Sequence, residues 1–241
     1  MSDAAETTRL LSLLQFADGL FPAGAYAHSM GLETYAQDGR VKDEGSLGQF
    51  LRAHLEGSCA PSDGIAAVCA QRAAIAGNLA VCLELDGKLE AMKAASELRV
   101  ASRQMGRQTL RVAREIARAS AHEIAKDQLL DRLAAAVESG AAPGHHAIVF
   151  GIVGGAMEWP ARAMAAGFLY ASSAALVGAA LRLMPLGQTA GQRALASVQP
   201  LIARLADEIE NKNEEDMVSF APALEIAAMR HETLDARLFR S

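Results

Sequence analysis

Aromatic residues are scarce in this chain, at 5% of 241 positions, with one tryptophan and three tyrosines. Strands draw on aromatic and β-branched residues, so the scarcity argues against a sheet. Cysteine is scarce too. Cys59, Cys69 and Cys82 are odd in number and show no CxxC spacing. That argues against a disulfide framework or a structural zinc centre and fits a reducing cytoplasm. There is no basic excess either: the formal net charge is -5, whereas a general nucleic-acid binder is basic. The opening MSDAAETTRL has no basic stretch ahead of an apolar one, so it does not read as a secretory leader. The most membrane-like run, Ala163 to Leu181, is rich in Ala and Gly and bounded by Arg162 and Arg182. It reads as a buried core helix. Neither nucleic acid nor a membrane is an expected partner.

What the chain does have is apolar surface and helix formers. Half of it is hydrophobic (51%), much of that alanine. A domain of this size buries roughly 70–75% of the surface its unfolded chain exposes. Ala, Leu, Met, Glu, Gln and Arg favour helices. Helices are predicted over Arg9 to Phe16 and over Ala25 to Gln37, separated by the Phe21-Pro22 break. Another begins at a capping box, Ser46 with Gln49, and continues through Leu47, Phe50, Leu51 and Leu55. Pro61-Ser62-Asp63 opens a further one. The longest periodic element runs from about Leu98 to Lys126, with Leu98, Ala101, Met105, Val112 and Ile116 as its apolar stripe. Asp127 to Glu138, Ala147 to Met157, Pro160 to about Leu183, Thr189 to Ile209, and Pro222 to about Glu232 complete the set. No period-2 run is present. The expected fold is all-α: a single compact domain over 1–241 of about ten helices, without a sheet. It carries a short charged linker near 211–220 and a C-terminal tail over 221–241.

Little in the sequence carries chemistry of its own. The six histidines are His28, His54, His122, His145, His146 and His231. The pair His145-His146 can bind a borderline metal, but no HxH, HExxH or Cys/His cluster accompanies it, and a helix-start pair is the plainer reading. Ser29 follows His28 directly, and neighbours at i and i+1 of a helix do not face each other. No GxSxG or GxxxxGK[ST] loop is present. Gly151, Gly154 and Gly155 lie in an apolar helical context with no preceding strand, which suits close helix packing rather than a dinucleotide site. No catalytic residue, metal ligand or cofactor is expected.

Two features stay open at this level. Arg99, Arg103, Arg107 and Arg111 fall at steps of four, either as a solvated face paired with Glu97 and Glu115 or as a docking strip for an acidic partner. The tail ends RHETLDARLFRS, with Leu238-Phe239 flanked by Arg237 and Arg240. That apolar pair packs either on its own domain or on a partner. With no obvious place for Leu238 and Phe239 in the core, the partner is the expectation.

Three segments together resemble a known family. They are FPAGAYAHSMGLETY (Phe21 to Tyr35), PLGQTAGQ (Pro185 to Gln192) and APALEIAAMRHETLDARLFRS (Ala221 to Ser241). LRVASRQMGRQ (Leu98 to Gln108) and HHAIVFGIVGG (His145 to Gly155) add to them. In order and separation they are similar to the signature stretches of the UreF urease accessory proteins. Ala23 and Ala25 depart from the family's usual Val or Ile and Gly or Ser. The resemblance implies a helical, dimeric, non-catalytic scaffold that binds the accessory protein UreD (also called UreH) and recruits the GTPase UreG. That assembly docks on apo-urease for nickel insertion. It implies a partner-binding surface from Pro22, Gly24, Tyr26, His28, Ser29, Gly31, Leu32 and Glu33. It extends this to the tail, Arg237, Leu238, Phe239, Arg240 and Ser241, with His231 and Glu232 just before it. Pro185, Gly187, Gln188 and Gln192 would lie at a helix junction near the dimer or GTPase-facing surface. The homodimer would use the Gly/Ala faces of Ala147–Gly155 and Pro160–Leu183. The alternative is a metallochaperone that binds nickel through its own histidines.

Overall fold

The helix His146–Ala156 organises the molecule. In the computed structural model, which describes residues 3–119 and 124–241, every residue from Ala147 to Ala156 is buried. A helix that is apolar on all sides has no solvent face and must be surrounded. Eleven α-helical segments are present among the described residues, with no strand. In chain order they are α1 (Asp3–Ala17), α2 (Leu32–Gln37), α3 (Glu44–His54), α4 (Ile65–Ile75), α5 (Leu79–Met92), α6 (Ser96–Ala119) and α7 (Ile124–Glu138). The remaining four are α8 (His146–Ala156), α9 (Ala161–Leu183), α10 (Gln188–Ile209) and α11 (Pro222–His231). α4 and α6 pack most closely on α8, α10 lies along α9 and α3, and α11 closes over α2 and α6. The result is one helical domain with a continuous core.

The α4–α8 seam is a backbone-to-backbone contact. A Cβ on Gly151 would collide with the Ala67 carbonyl oxygen, and one on Gly155 would lie 2.9 Å from Ala74 Cβ. This stripe is therefore consumed inside the chain, and the expectation that Ala147–Gly155 offers a dimer face is corrected. α9 is long and apolar enough to cross a membrane by length and composition. Its buried residues, among them Met164, Phe168, Leu169 and Leu176, face the core.

Several local readings change. The helix expected over Ala25 to Gln37 is broken: a single 3-10 turn, Ala25–Ala27, is followed by extended His28, left-handed Met30 (φ 52°) and Gly31 (φ 86°) before α2 begins. The capping residue of α3 is Asp43, which accepts from Ser46 N at 2.8 Å, so Ser46 stands three places into the box rather than at its head. Pro61 does not open a helix. It lies inside a π-helical stretch, Leu55–Gly64, that joins α3 to α4 without a break. Proline lacks an N–H and its ring pushes away the carbonyl one turn back, which widens the turn. The carbonyls of Gly57 and Pro61 then accept from Phe220 N (2.9 Å) and Val218 N (3.0 Å), seating the charged stretch after α10 on the body. α5 has no counterpart among the expected helices. The Leu98 to Lys126 element is α6 plus the start of α7; residues 120–123, His122 included, lie outside the described residues. The buried seam of α6 runs through Ala101, Met105, Thr109, Leu110, Ala113 and Ala117, and Val112 and Ile116 lie at its margin.

Candidate functional site

The segment 22–33 gains its shape from two glycines. Gly24 (φ 83°) turns the chain into the 3-10 turn, and Gly31 (φ 86°) turns it into α2. A Cβ on Gly31 would stand 3.2 Å from Ala228 N and 3.3 Å from Leu224 O, so its bareness also lets α11 approach. Thr34 Oγ1 donates to Ala227 O at 2.8 Å and fastens the same seam.

The tail threads back into this segment. Ser29 N (2.5 Å) and Met30 N (3.2 Å) donate to the Ser241 carbonyl oxygen, as does Ser29 Oγ at 2.8 Å. His28 Nδ1 meets Ser241 Oγ at 2.9 Å, and Arg240 N donates to Ala27 O at 2.9 Å. Glu33, 2% exposed, accepts from Leu238 N (2.7 Å) and Phe239 N (3.1 Å). Phe239 is 5% exposed, with the Arg182 guanidinium 4.1 Å over its ring; Arg182 also donates to Tyr26 O. The expectation that Leu238 and Phe239 have no place in their own core is corrected for Phe239, which has one. Leu238 stays outside, 60% exposed. The buried Glu33 carboxylate lets the tail lie here, since it supplies acceptors for two tail N–H groups that burial would otherwise leave unpaired.

Behind this seam His231, fully buried on α11, places Nε2 2.9 Å from Glu33 Oε2 and Nδ1 2.6 Å from Glu97 Oε2. Glu97 Oε1 in turn accepts from Arg237 at 2.9 Å. Burial pushes the Glu33 carboxyl up, but the Leu238 N–H, His231 and the Phe239 N–H outweigh it and hold the group below the usual carboxylate range. Glu232 is exposed and meets Ser96 Oγ.

Of the expected site residues, His28, Ser29, Gly31, Leu32, Glu33, His231, Phe239 and Ser241 are buried and form the seam, while Pro22, Tyr26, Arg237, Leu238 and Arg240 are exposed around it. Pro185 and Gly187 sit exposed between α9 and α10, with Gln188 and Gln192 exposed on the first turns of α10. They form no hydrogen bond with the tail or the first segment among the described residues, although Arg182, one turn earlier, reaches both. Arg182 and Glu97 are the residues that the sequence reading missed. Arg182 looked like a helix-end charge and Glu97 like a surface partner for the arginine stripe. Within that stripe Arg111 meets the expected Glu115, at 3.3 Å, whereas Arg99 and Arg103 are paired with Glu90, 3.7 Å from each, in place of Glu97.

A cavity of about 310 Å³ opens beside the seam, lined by Phe16, Tyr26, His28, His54, His146 and Phe168 among others. Burial holds the imidazoles of His28, His54 and His146 neutral, with pKa values lowered to about 4. Burial also pushes the Cys59 thiol, on the same wall, up to about 12. At its edge Lys93 and Asp63 form a largely buried ion pair at 2.8 Å. Among the described residues no three His, Cys, Asp or Glu side chains converge to hold a metal ion.

Known proteins are similar to this chain in sequence. The family model for UreF matches residues 41–199. Urease accessory protein UreF of Lachnoclostridium phytofermentans is 35% identical over 232 residues, covering 96% of this chain and 98% of its own length. UreF of a Bacillus species is 34% identical over 233 residues (97% and 99%), and that of an Arthrobacter species 35% over 238 (99% and 100%). The family model leaves the first segment and the tail outside its bounds, but the relatives align across nearly the whole chain. With a family model over most of its length and relatives above 30% identity from end to end, this chain belongs to the UreF family of urease accessory proteins.

Proposed function

We propose that the chain is a non-catalytic scaffold in urease maturation, which binds the accessory protein UreD (UreH) and recruits the GTPase UreG for nickel insertion into apo-urease. The observation that carries this reading is the union of the two terminal segments into one patch. Its buried half fixes the backbone, and its outer half presents Pro22, Tyr26, Arg237, Leu238 and Arg240 to solvent. An exposed Tyr in company with two arginines is a composition that interfaces favour. Ser29 and His28 are both spent on Ser241, and His54 on the hydroxyl of Ser172 at 3.0 Å. The homodimer belongs to the same proposal and now rests on α1, whose Leu10, Leu11 and Leu14 are more than half exposed. Three buried free thiols suit a reducing cytoplasm. Co-expression with candidate UreD and UreG partners tests the reading. Recovery of a complex that activates apo-urease supports it. A monodisperse chain that captures neither partner contradicts it.

A further inference from the structure

One wall of the cavity beside the seam is a distorted helix. His54, Ser58, Cys59 and Asp63 all line it, the last three within the π-helical stretch Leu55–Gly64. Wound as an α-helix, these four positions would spread over about 180°; at about 4.4 residues per π turn they gather within about 80°. The widened turns around Pro61 therefore bring all four to one space, and π-helical turns concentrate at functional sites. From α9, Phe168, Ala171, Ala175 and Gly178 line the same space at steps of three and four. Three of these are small, and a Cβ on Gly178 would meet nothing within 4 Å. An apolar cavity of about 150 Å³ holds one benzene ring, so the roughly 310 Å³ here has room for two fused rings.

We propose that this cavity is a binding site for an uncharged two-ring aromatic molecule with one hydrogen-bonding group, seated against the ring of His146. The inference goes beyond the scaffold reading and stands without it. Phe16, Phe21, Phe168, Met30 and Met105 on the walls suit an aromatic body. His146 meets Phe150 and Phe168, with ring centroids 5.9 Å and 5.7 Å away. Its backbone N–H donates to Ser102 Oγ at 3.4 Å, whereas its ring forms no hydrogen bond among the described residues. Burial keeps that ring neutral, so it offers one donor and one acceptor. The charged side chains along the wall are all engaged elsewhere. Asp63 holds Lys93, and Arg182 donates to Tyr26 O and covers Phe239. Asp18 accepts from Leu20 N, and Glu225 from Ser219 Oγ. An ionic ligand would give up its water without gaining a free counter-charge, and this sets the preference for an uncharged one.

The test is calorimetric titration of the full-length chain, near neutral pH, with 2-naphthol and with its carboxylate counterpart 2-naphthoate. The naphthol should bind at one site per chain with a Kd below about 1 mM, and the naphthoate at least about tenfold more weakly. His146→Phe keeps a ring beside Phe150 and Phe168 but removes the hydrogen-bonding atoms, and should weaken the naphthol by about threefold to tenfold. Ala175→Phe fills the cavity and should abolish binding. Should either variant fail to fold, nuclear Overhauser effects in the unmodified chain locate the probe: they should join naphthol protons to the rings of His146 and Phe168. No naphthol binding below about 1 mM overturns the proposal. So does naphthoate binding as tight as that of the naphthol, binding undiminished in Ala175→Phe, or Overhauser effects confined to the exposed Leu10, Leu11 and Leu14 of α1.

Discussion

The α4–α8 seam and the tail seam hold this protein together by different means. Between α4 and α8 nothing polar is exchanged. Gly151 and Gly155 let two backbones approach until ordinary side chains no longer fit, and the fit is one of shape. Around the tail the fit is one of hydrogen bonds, with Glu33, Ser29 and His28 supplying partners to a segment that has one buried anchor, Phe239. A shape-fitted seam is intolerant of volume and indifferent to pH. A hydrogen-bonded seam at the edge of the domain can open without unfolding the rest.

The largest expected effect breaks the first seam. Gly151→Val should destabilise by about 3 kcal/mol or more, since the Ala67 backbone cannot move aside, and should leave little folded protein at 37 °C. Gly87→Ala in α5, where an added Cβ meets nothing within 4 Å, should instead stabilise by about 0.5–1 kcal/mol. Thermal melts of the two variants compare them directly.

Acid is next, and it acts on the buried histidines. The fold keeps His28, His54, His145 and His146 neutral, by burial first in each case, with pKa values lowered to about 4. In the unfolded chain an imidazole takes up its proton near about 6.5. The unfolded state therefore binds more protons between these values. Stability is whole above that window and falls as pH drops through it, by up to about 1.4 kcal/mol per unit for each histidine. Urea melts at about pH 7, 5.5 and 4.5 should show the midpoint descending steadily. A flat midpoint would mean that these rings are solvated.

Phe239→Ala should affect the second seam alone. The cost of a Phe→Ala deletion, about 3–5 kcal/mol in a rigid core, is capped here by the smaller free energy of opening the tail. Limited proteolysis should cut near residues 233–240 while the melting temperature stays within a few degrees. The same view applies to deletion of 237–241. It uncovers Glu33 and Phe239's pocket, so a modest loss of stability should accompany any loss of partner binding.

Much of the first seam was legible in the sequence and little of the second. The bounds of α9, α10 and α11 follow from Pro160, Pro185 and Pro222, and the glycines of α8 announce close packing. Periodicity reports which face of a helix is apolar, and this is the information that such seams use. It does not report that a carboxylate on α2 will meet amides 205 and 206 positions later, nor that Pro61 will widen a helix instead of starting one. The extended step at His28 was hidden for the same reason, because Ala25 to Gln37 has helical composition and only the pull of Ser241 and α11 breaks it. α5 carries Leu79, Cys82, Leu85 and Leu89 at helical spacing and could have been read from the stripe alone.

The joined segments, seated by Glu33 and His231, are proposed to present the partner-binding surface. Exposed residues test it best, because they can change without disturbing the seam. The measurement is capture of UreD by a Tyr26→Ala, Leu238→Ser chain, beside an Ile75→Ser control that alters an equally exposed apolar residue on α4. The expected result is an unchanged melting temperature in both and loss of UreD from the double variant alone. Full capture by the double variant would contradict the account.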